Sequence, residues 1–151
     1  MIKLSSSKTN GGAGKTTLTA NLGALLADMG LRVLLIDAVV QPSLSKFFPL
    51  AAPQPAAGLT EVIVRGQVTA ACITPTVFPN LHIVVSDDPE GHLPNWLLNR
   101  IDRGFRLRFA LQSPAVAGHY DCVLIDTHGA IGPLQDILNQ LVRFHPGLVR
   151  D

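Results

Sequence analysis

Between Lys8 and Thr17 the chain reads KTNGGAGKTT, a spacing suited to holding phosphate. Gly11, Gly12 and Gly14 carry no Cβ, so the loop can turn its N–H groups inward around an anion. Ala13 lies among them, Lys15 adds a positive charge, and Thr16 and Thr17 supply hydroxyls. An apolar periodic run opens at Thr16, which predicts that the loop ends at a helix N-terminus, where unpaired N–H groups and the helix dipole also favour an anion. The Gly-Lys-Thr ending fits the phosphate-loop motif, with Thr9 standing where the general pattern has its first glycine. The chemistry is that of a nucleoside triphosphate cradle.

Two carboxylates extend it. Asp37 closes the apolar run RVLLID and Asp126 closes YDCVLID, with the polar residues Gln41 and Ser43 between them. Ligands of parallel sheets sit beyond the carboxyl ends of the strands, so both acids can approach a magnesium ion bridging the terminal phosphates, with the Thr16 hydroxyl as a direct ligand. The plainer alternative makes them strand-end turn residues. His128 either touches the terminal phosphate or is a neutral loop histidine.

Positioning these groups requires alternating strands and helices. Met1 to Ser6 predicts a strand feeding the loop. Leu18, Leu22, Leu25, Leu26 and Met29 recur at helical spacing, with Gly30 as the left-handed cap. The runs Arg32 to Asp37, Leu81 to Val85 and Tyr120 to Asp126 read as further strands, the first buried on both faces. Four proline residues between Gln41 and Gly58 predict a loop, broken by one helical turn from Ser43 to Phe48. Leu59 to Arg65, Leu93 to Leu98, Ile101 to Leu111 and Leu134 to Phe144 read as helices, the third interrupted near Gly104. Such alternation gives a mostly parallel sheet with right-handed crossovers.

Composition narrows the class. The 151 residues form one domain, 47% apolar with mean hydropathy +0.31, yet no apolar run approaches the roughly 20 residues of a membrane span. Neither an export signal nor an amphipathic membrane helix is visible, which predicts a cytoplasmic protein without membrane attachment. Cys72 and Cys122 suit a reducing compartment and lack metal-ligand spacing; Cys122 reads as an inert core thiol. A net charge of +1 gives no global nucleic-acid signature. Arg100, Arg103 and Arg106, with Arg108 nearby, would line one side of a helix, either as a solvated face or as a grip on DNA phosphates. Trp96 reads as a packing anchor; Leu44, Phe47 and Phe48 as core or as a docking surface.

The stretches NGGAGKTTLTANLGALLADMGLRVLLIDAVVQPSLSKFF and YDCVLIDTHGAIGPLQD resemble the ParA/MinD family of P-loop ATPases, closest to its ParA-type partition proteins of plasmids and integrative elements. GLTEVI and SDDPEGHLPNWLL fit that branch, and the likeness runs from about Met1 to Asp136. The resemblance implies a three-layer α/β P-loop NTPase sandwich with a mostly parallel central sheet, here as a single truncated domain over 1–151 with the C-terminal strands absent. It also implies ATP and magnesium as cofactors, a nucleotide-bound homodimer, non-specific DNA binding, a ParB-like centromere-binding partner, and a place on the nucleoid where DNA binding is retained.

Carried over by position, Gly11, Gly12, Ala13, Gly14, Lys15, Thr16 and Thr17 match the phosphate and magnesium loop. Asp126 matches the Walker B carboxylate, and Asp37 the first carboxylate after the second strand. Two family positions are replaced. The signature lysine before the paired glycines is Asn10, and the aspartate two residues after Asp37 is Val39. Lys8 either stands in for that lysine or is a surface residue. Phosphoryl transfer depends on positioning and charge neutralisation, so both losses together predict binding with weak turnover. Three readings follow: an ATP-binding partition protein, a non-hydrolysing nucleotide-binding or inhibitory partner, and a non-functional fragment of a ParA-type protein.

Overall fold

The computed structural model describes residues 2–6, 13–38, 44–51, 56–126 and 148–150. Its strands form one sheet in the order β3-β4-β2-β5-β1-β6. These are β1 (Ile2–Ser6), β2 (Val33–Asp37), β3 (Thr74–Pro75), β4 (Leu81–Val84), β5 (Cys122–Asp126) and β6 (Leu148–Arg150). Every pairing is parallel except β3 against β4. All residues of β2 and β5 are buried. Alternate residues of a strand point to opposite faces, so burial throughout means a layer on each side.

One face is covered by helix α1 (Ala13–Asp28), which packs on Val33, Leu35, Ile83 and Leu124. The other carries α2 (Leu59–Arg65), α3 (His92–Leu98) and α4 (Arg106–Ala110) over Leu34, Ile36, Val84, Val123 and Ile125. The three-layer α/β sandwich expected from the sequence is the one observed. Among the described residues no helix is long and apolar enough to cross a membrane.

Local chemistry sets the ends of these elements. Gly30, at φ +89°, donates its N–H to Ala27 O at 3.0 Å while Leu31 N–H reaches Leu26 O at 3.1 Å, the paired bonds of a left-handed helix stop. Asp88 opens α3 by accepting the N–H groups of His92 and Leu93 at 2.9 and 2.8 Å. Arg32 and Asp121 tie the starts of β2 and β5: Nη2 donates to Oδ1 at 3.0 Å and Nε to Oδ2 at 3.2 Å.

The leucine stripe that predicts α1 is only partly the face that α1 buries, Leu22 and Leu26 being half-buried against the core. Leu18, Leu25 and Met29 are exposed, whereas Thr16, Thr19, Ala20, Gly23 and Ala27 face the sheet. Small residues let the helix approach closely; a Cβ on Gly23 would lie 2.9 Å from Leu35 Cδ2. The helix also begins at Ala13, three residues ahead of the expected Thr16.

The expected absence of strands beyond Asp126 is corrected by β6, which pairs with β1 and covers its second edge. Three residues cannot display a period, so that strand carried no pattern signal. β3 escaped for the same reason and contains Pro75. The helix expected over Ile101 to Leu111 divides into a 3-10 turn, Arg103–Phe105, and α4. The helix expected over Leu134 to Phe144 lies outside the described residues, as do Gln41 and Ser43.

A Cβ added at Gly58 would stand 2.5 Å from Val85 O, the carbonyl that accepts Leu59 N–H at 2.8 Å. Gly58→Ala should therefore push α2 off the end of β4 and cost about 1–3 kcal/mol. Urea unfolding should show a lower midpoint with unchanged slope; an unchanged midpoint would contradict the close approach.

Candidate functional site

The site forms where three parallel strands end together. Asp37 closes β2, Asp126 closes β5, and Ser6 closes β1; Asp37 pairs in register with Asp126, and Asp126 with Ser6. The phosphate-loop residues fall in the sequence between the end of β1 at Ser6 and the first turn of α1 from Ala13. Gly11 and Gly12, with Lys8, Asn10, Val39 and His128, lie outside the described residues. The backbone of Ala13, Gly14 and Lys15 makes the first turn of α1, followed by Thr16 and Thr17.

Thr16 is the residue that joins loop and sheet. Its hydroxyl donates to Asp126 Oδ2 at 2.7 Å, across 110 residues of sequence. Thr16 is 4% exposed, and Asp37 and Asp126 are both 0% exposed. Asp37 Oδ2 accepts the N–H of Leu44 at 3.1 Å, and Ala38 N–H donates to Asp126 O at 2.9 Å. Buried carboxylates need hydrogen bonds or positive potential around them. The start of α1 adds that potential through the positive end of its dipole.

The donor set is a hydroxyl and two carboxylates, all hard oxygens, which suits magnesium. Among the described residues no group of three or more His, Cys, Asp or Glu side chains could cage a metal alone. An ion held here would therefore draw its remaining ligands from phosphate oxygens and water, the usual manner of magnesium at a nucleotide. The residues present fit the group.

Leu44 is the contributor that sequence reasoning missed. Backbone donors carry no residue-type signal, and only the burial of Leu44 beside the apolar Phe48 hints that the segment folds back. Leu44 and Phe48 are core residues, and Phe47 is exposed.

The arginine row does not line one helix face. The guanidinium carbons of Arg100 and Arg106 stand 4.8 and 5.4 Å from the centroid of the Trp96 ring. Arg106 also donates to Val64 O at 3.1 Å and pairs with Asp102, while Arg103 Nη1 donates to Leu98 O at 3.2 Å. Trp96 packs against the core beneath α3, as an anchor. Cys122 is buried in β5, and burial pushes its thiol pKa up.

A sheet with this strand order, a strand-to-helix loop and paired acids at the adjoining strand ends define a P-loop NTPase fold. A family model described as an AAA domain matches residues 1–141. The chain belongs to the ParA/MinD family of P-loop ATPases. It is 35% identical to the chromosome partitioning protein ParA of Caulobacter vibrioides over 116 residues, 77% of this chain and 43% of that protein. A McdA–ATP complex from Cyanothece superimposes with a TM-score of 0.76 at 26% identity, covering 91% of this chain and 52% of that one. Cobyrinic acid a,c-diamide synthase of Mycobacterium smegmatis with ADP and magnesium gives 0.82 at 22% identity, covering 99% and 72%, a likeness of fold alone. The chain spans less than half the length of the ParA relative.

Thr16→Val keeps the shape of the side chain and removes the hydrogen from Asp126. It should lower stability by about 1–3 kcal/mol in nucleotide-free urea unfolding, with Thr16→Ser near wild type. Equal midpoints for Val and wild type would show that the bond holds nothing in place.

Proposed function

We propose that this chain binds magnesium-ATP at the loop between β1 and α1 and serves as a ParA-type partition protein for plasmid, chromosome or mobile-element DNA. The observation that carries this reading is the buried bond from Thr16 to Asp126, with Asp37 in register beside it. The loop amides and Lys15 bind the phosphates. Thr16 offers its hydroxyl oxygen to magnesium, and Asp126 and Asp37 orient that end of the site from the strand ends. Magnesium, when bound, neutralises charge on the terminal phosphates. A homodimer, non-specific DNA, a ParB-like partner and a cytoplasmic, nucleoid-associated location belong to the same proposal, supported by family membership.

Asn10 and Val39 favour a second reading in which nucleotide is held but scarcely turned over. The groups missing there act on the transferring phosphoryl and on water, whereas the groups retained act on binding. Such a chain would act as a binding switch or as an inhibitory partner of an active relative.

Calorimetric titration with ATP and magnesium separates the outcomes. Binding below millimolar nucleotide is expected, weakened about 10- to 100-fold by Lys15→Ala through loss of a charged hydrogen bond. No binding at millimolar nucleotide would overturn the assignment. Turnover should be very slow and should rise when Asn10→Lys and Val39→Asp are combined. Turnover at ordinary family rates in the unmodified chain, abolished by Lys15→Ala, would rule out the second reading.

A further inference from the structure

A cavity of about 540 Å³ opens at the other end of the sheet, among residues that the nucleotide site does not use. Arg32 precedes β2, Asn80 precedes β4 and Tyr120 stands just ahead of β5, so this cavity lies at the strand starts while Asp37 and Asp126 lie at the strand ends. Strands of this length place the two regions about 15 Å apart.

The floor is apolar, formed by Ile73 and Ala115, with the exposed Ala70 and Pro75 at the rim. Its polar corner is a pair: Tyr120 and His82 share a 2.8 Å hydrogen bond between the phenol oxygen and Nδ1, with their rings edge to face at 79°. His82 Nε2 makes no hydrogen bond among the described residues, and neither do the side chains of Asn80 and His119, which also line the cavity. If Tyr120 donates to Nδ1, then Nε2 carries the ring proton and donates; if Nδ1 donates, Nε2 accepts. The corner can therefore present either kind of group.

Charge is balanced around this space. The Arg32 guanidinium is fixed by Asp121 through two bonds and by Gly118 O at 3.1 Å, so its charge is already met. Its hydrogen bonds hold the Asp121 carboxyl down at about 2. Burial pushes the Tyr120 phenol up to about 12 and lowers His82 below its usual 6.5, so that pair is neutral at neutral pH. An anion gains no unpaired guanidinium here, whereas a flat ring gains an edge-to-face corner and the plane of a fixed guanidinium.

We propose that this cavity is a second ligand site, taking a small, neutral, planar heteroaromatic molecule whose hydrogen-bonding head meets His82 Nε2 and Asn80. The volume falls within the range of small-molecule sites, and a ligand of two fused rings fits it.

The test titrates the full chain, labelled with nitrogen-15, with indole-3-carboxamide and separately with the isosteric indole-3-carboxylate. The neutral amide should bind with a dissociation constant of about 1 mM or lower. Its amide shifts should centre on Arg32, Asn80, His82 and Tyr120, and the carboxylate should bind at least about 10-fold more weakly, since burying an unpaired charge is costly. His82→Phe should weaken the amide about 3- to 10-fold through loss of one hydrogen bond. Ala70→Trp, at an exposed rim position, should fill the cavity and remove binding with an unchanged thermal midpoint. Saturable binding that survives Ala70→Trp, tighter binding of the carboxylate, shifts centred on Asp37 and Asp126, or no saturable shift at several millimolar probe would overturn the proposal.

Discussion

Two carboxylates buried side by side at the ends of adjacent strands are costly unless donors and positive potential surround them. Asp37 and Asp126 are in that position, and the rest of the site follows from answering their charge. Thr16 supplies a hydroxyl, Leu44 an N–H, and α1 the positive end of its dipole. For Thr16 to reach Asp126 at 2.7 Å, α1 must lie close on the sheet, which explains why its most buried positions are threonine, alanine and glycine while Leu22 and Leu26 are only half-buried. The start of α1 is thereby held beside the acids, and in the proposed function phosphate and a divalent cation complete the charge balance there.

Much of the fold is legible in the sequence. Apolar runs that stop at an aspartate announce strands that end in an acid, and β2 and β5 are those strands. β2 and β5 appeared within one or two residues of their expected bounds, and α2 matched from Leu59 to its stop at Gly66. What stayed hidden has physical reasons. β3 and β6 are too short to show a period, and β6 exists by pairing with β1, at the far end of the sequence. The buried face of α1 was masked because the helix is apolar on both sides. The spacing of Arg100, Arg103 and Arg106 allowed a solvated face or a phosphate grip; Trp96, Asp102 and the carbonyls of Val64 and Leu98 engage them, and a spacing of like charges does not name such partners.

The same strands serve two regions of different character. Their carboxyl ends gather hard oxygen donors and a helix N-terminus, an environment for a charged ligand with a metal ion. Their amino ends gather paired charges, a neutral His82–Tyr120 corner and an apolar floor, an environment for an uncharged ring. Family membership accounts for the first region and is silent on the second.

The central claim is that the Thr16–Asp126–Asp37 junction receives the metal of a bound nucleotide. Paramagnetic broadening by manganese-ATP measures this directly, because the effect falls off steeply with distance from the ion. The account predicts that the amides of Thr16, Asp37 and Asp126 broaden first, with Arg32, Asn80 and Tyr120 nearly unaffected. Broadening spread evenly over the surface, or strongest at the strand starts, would contradict it.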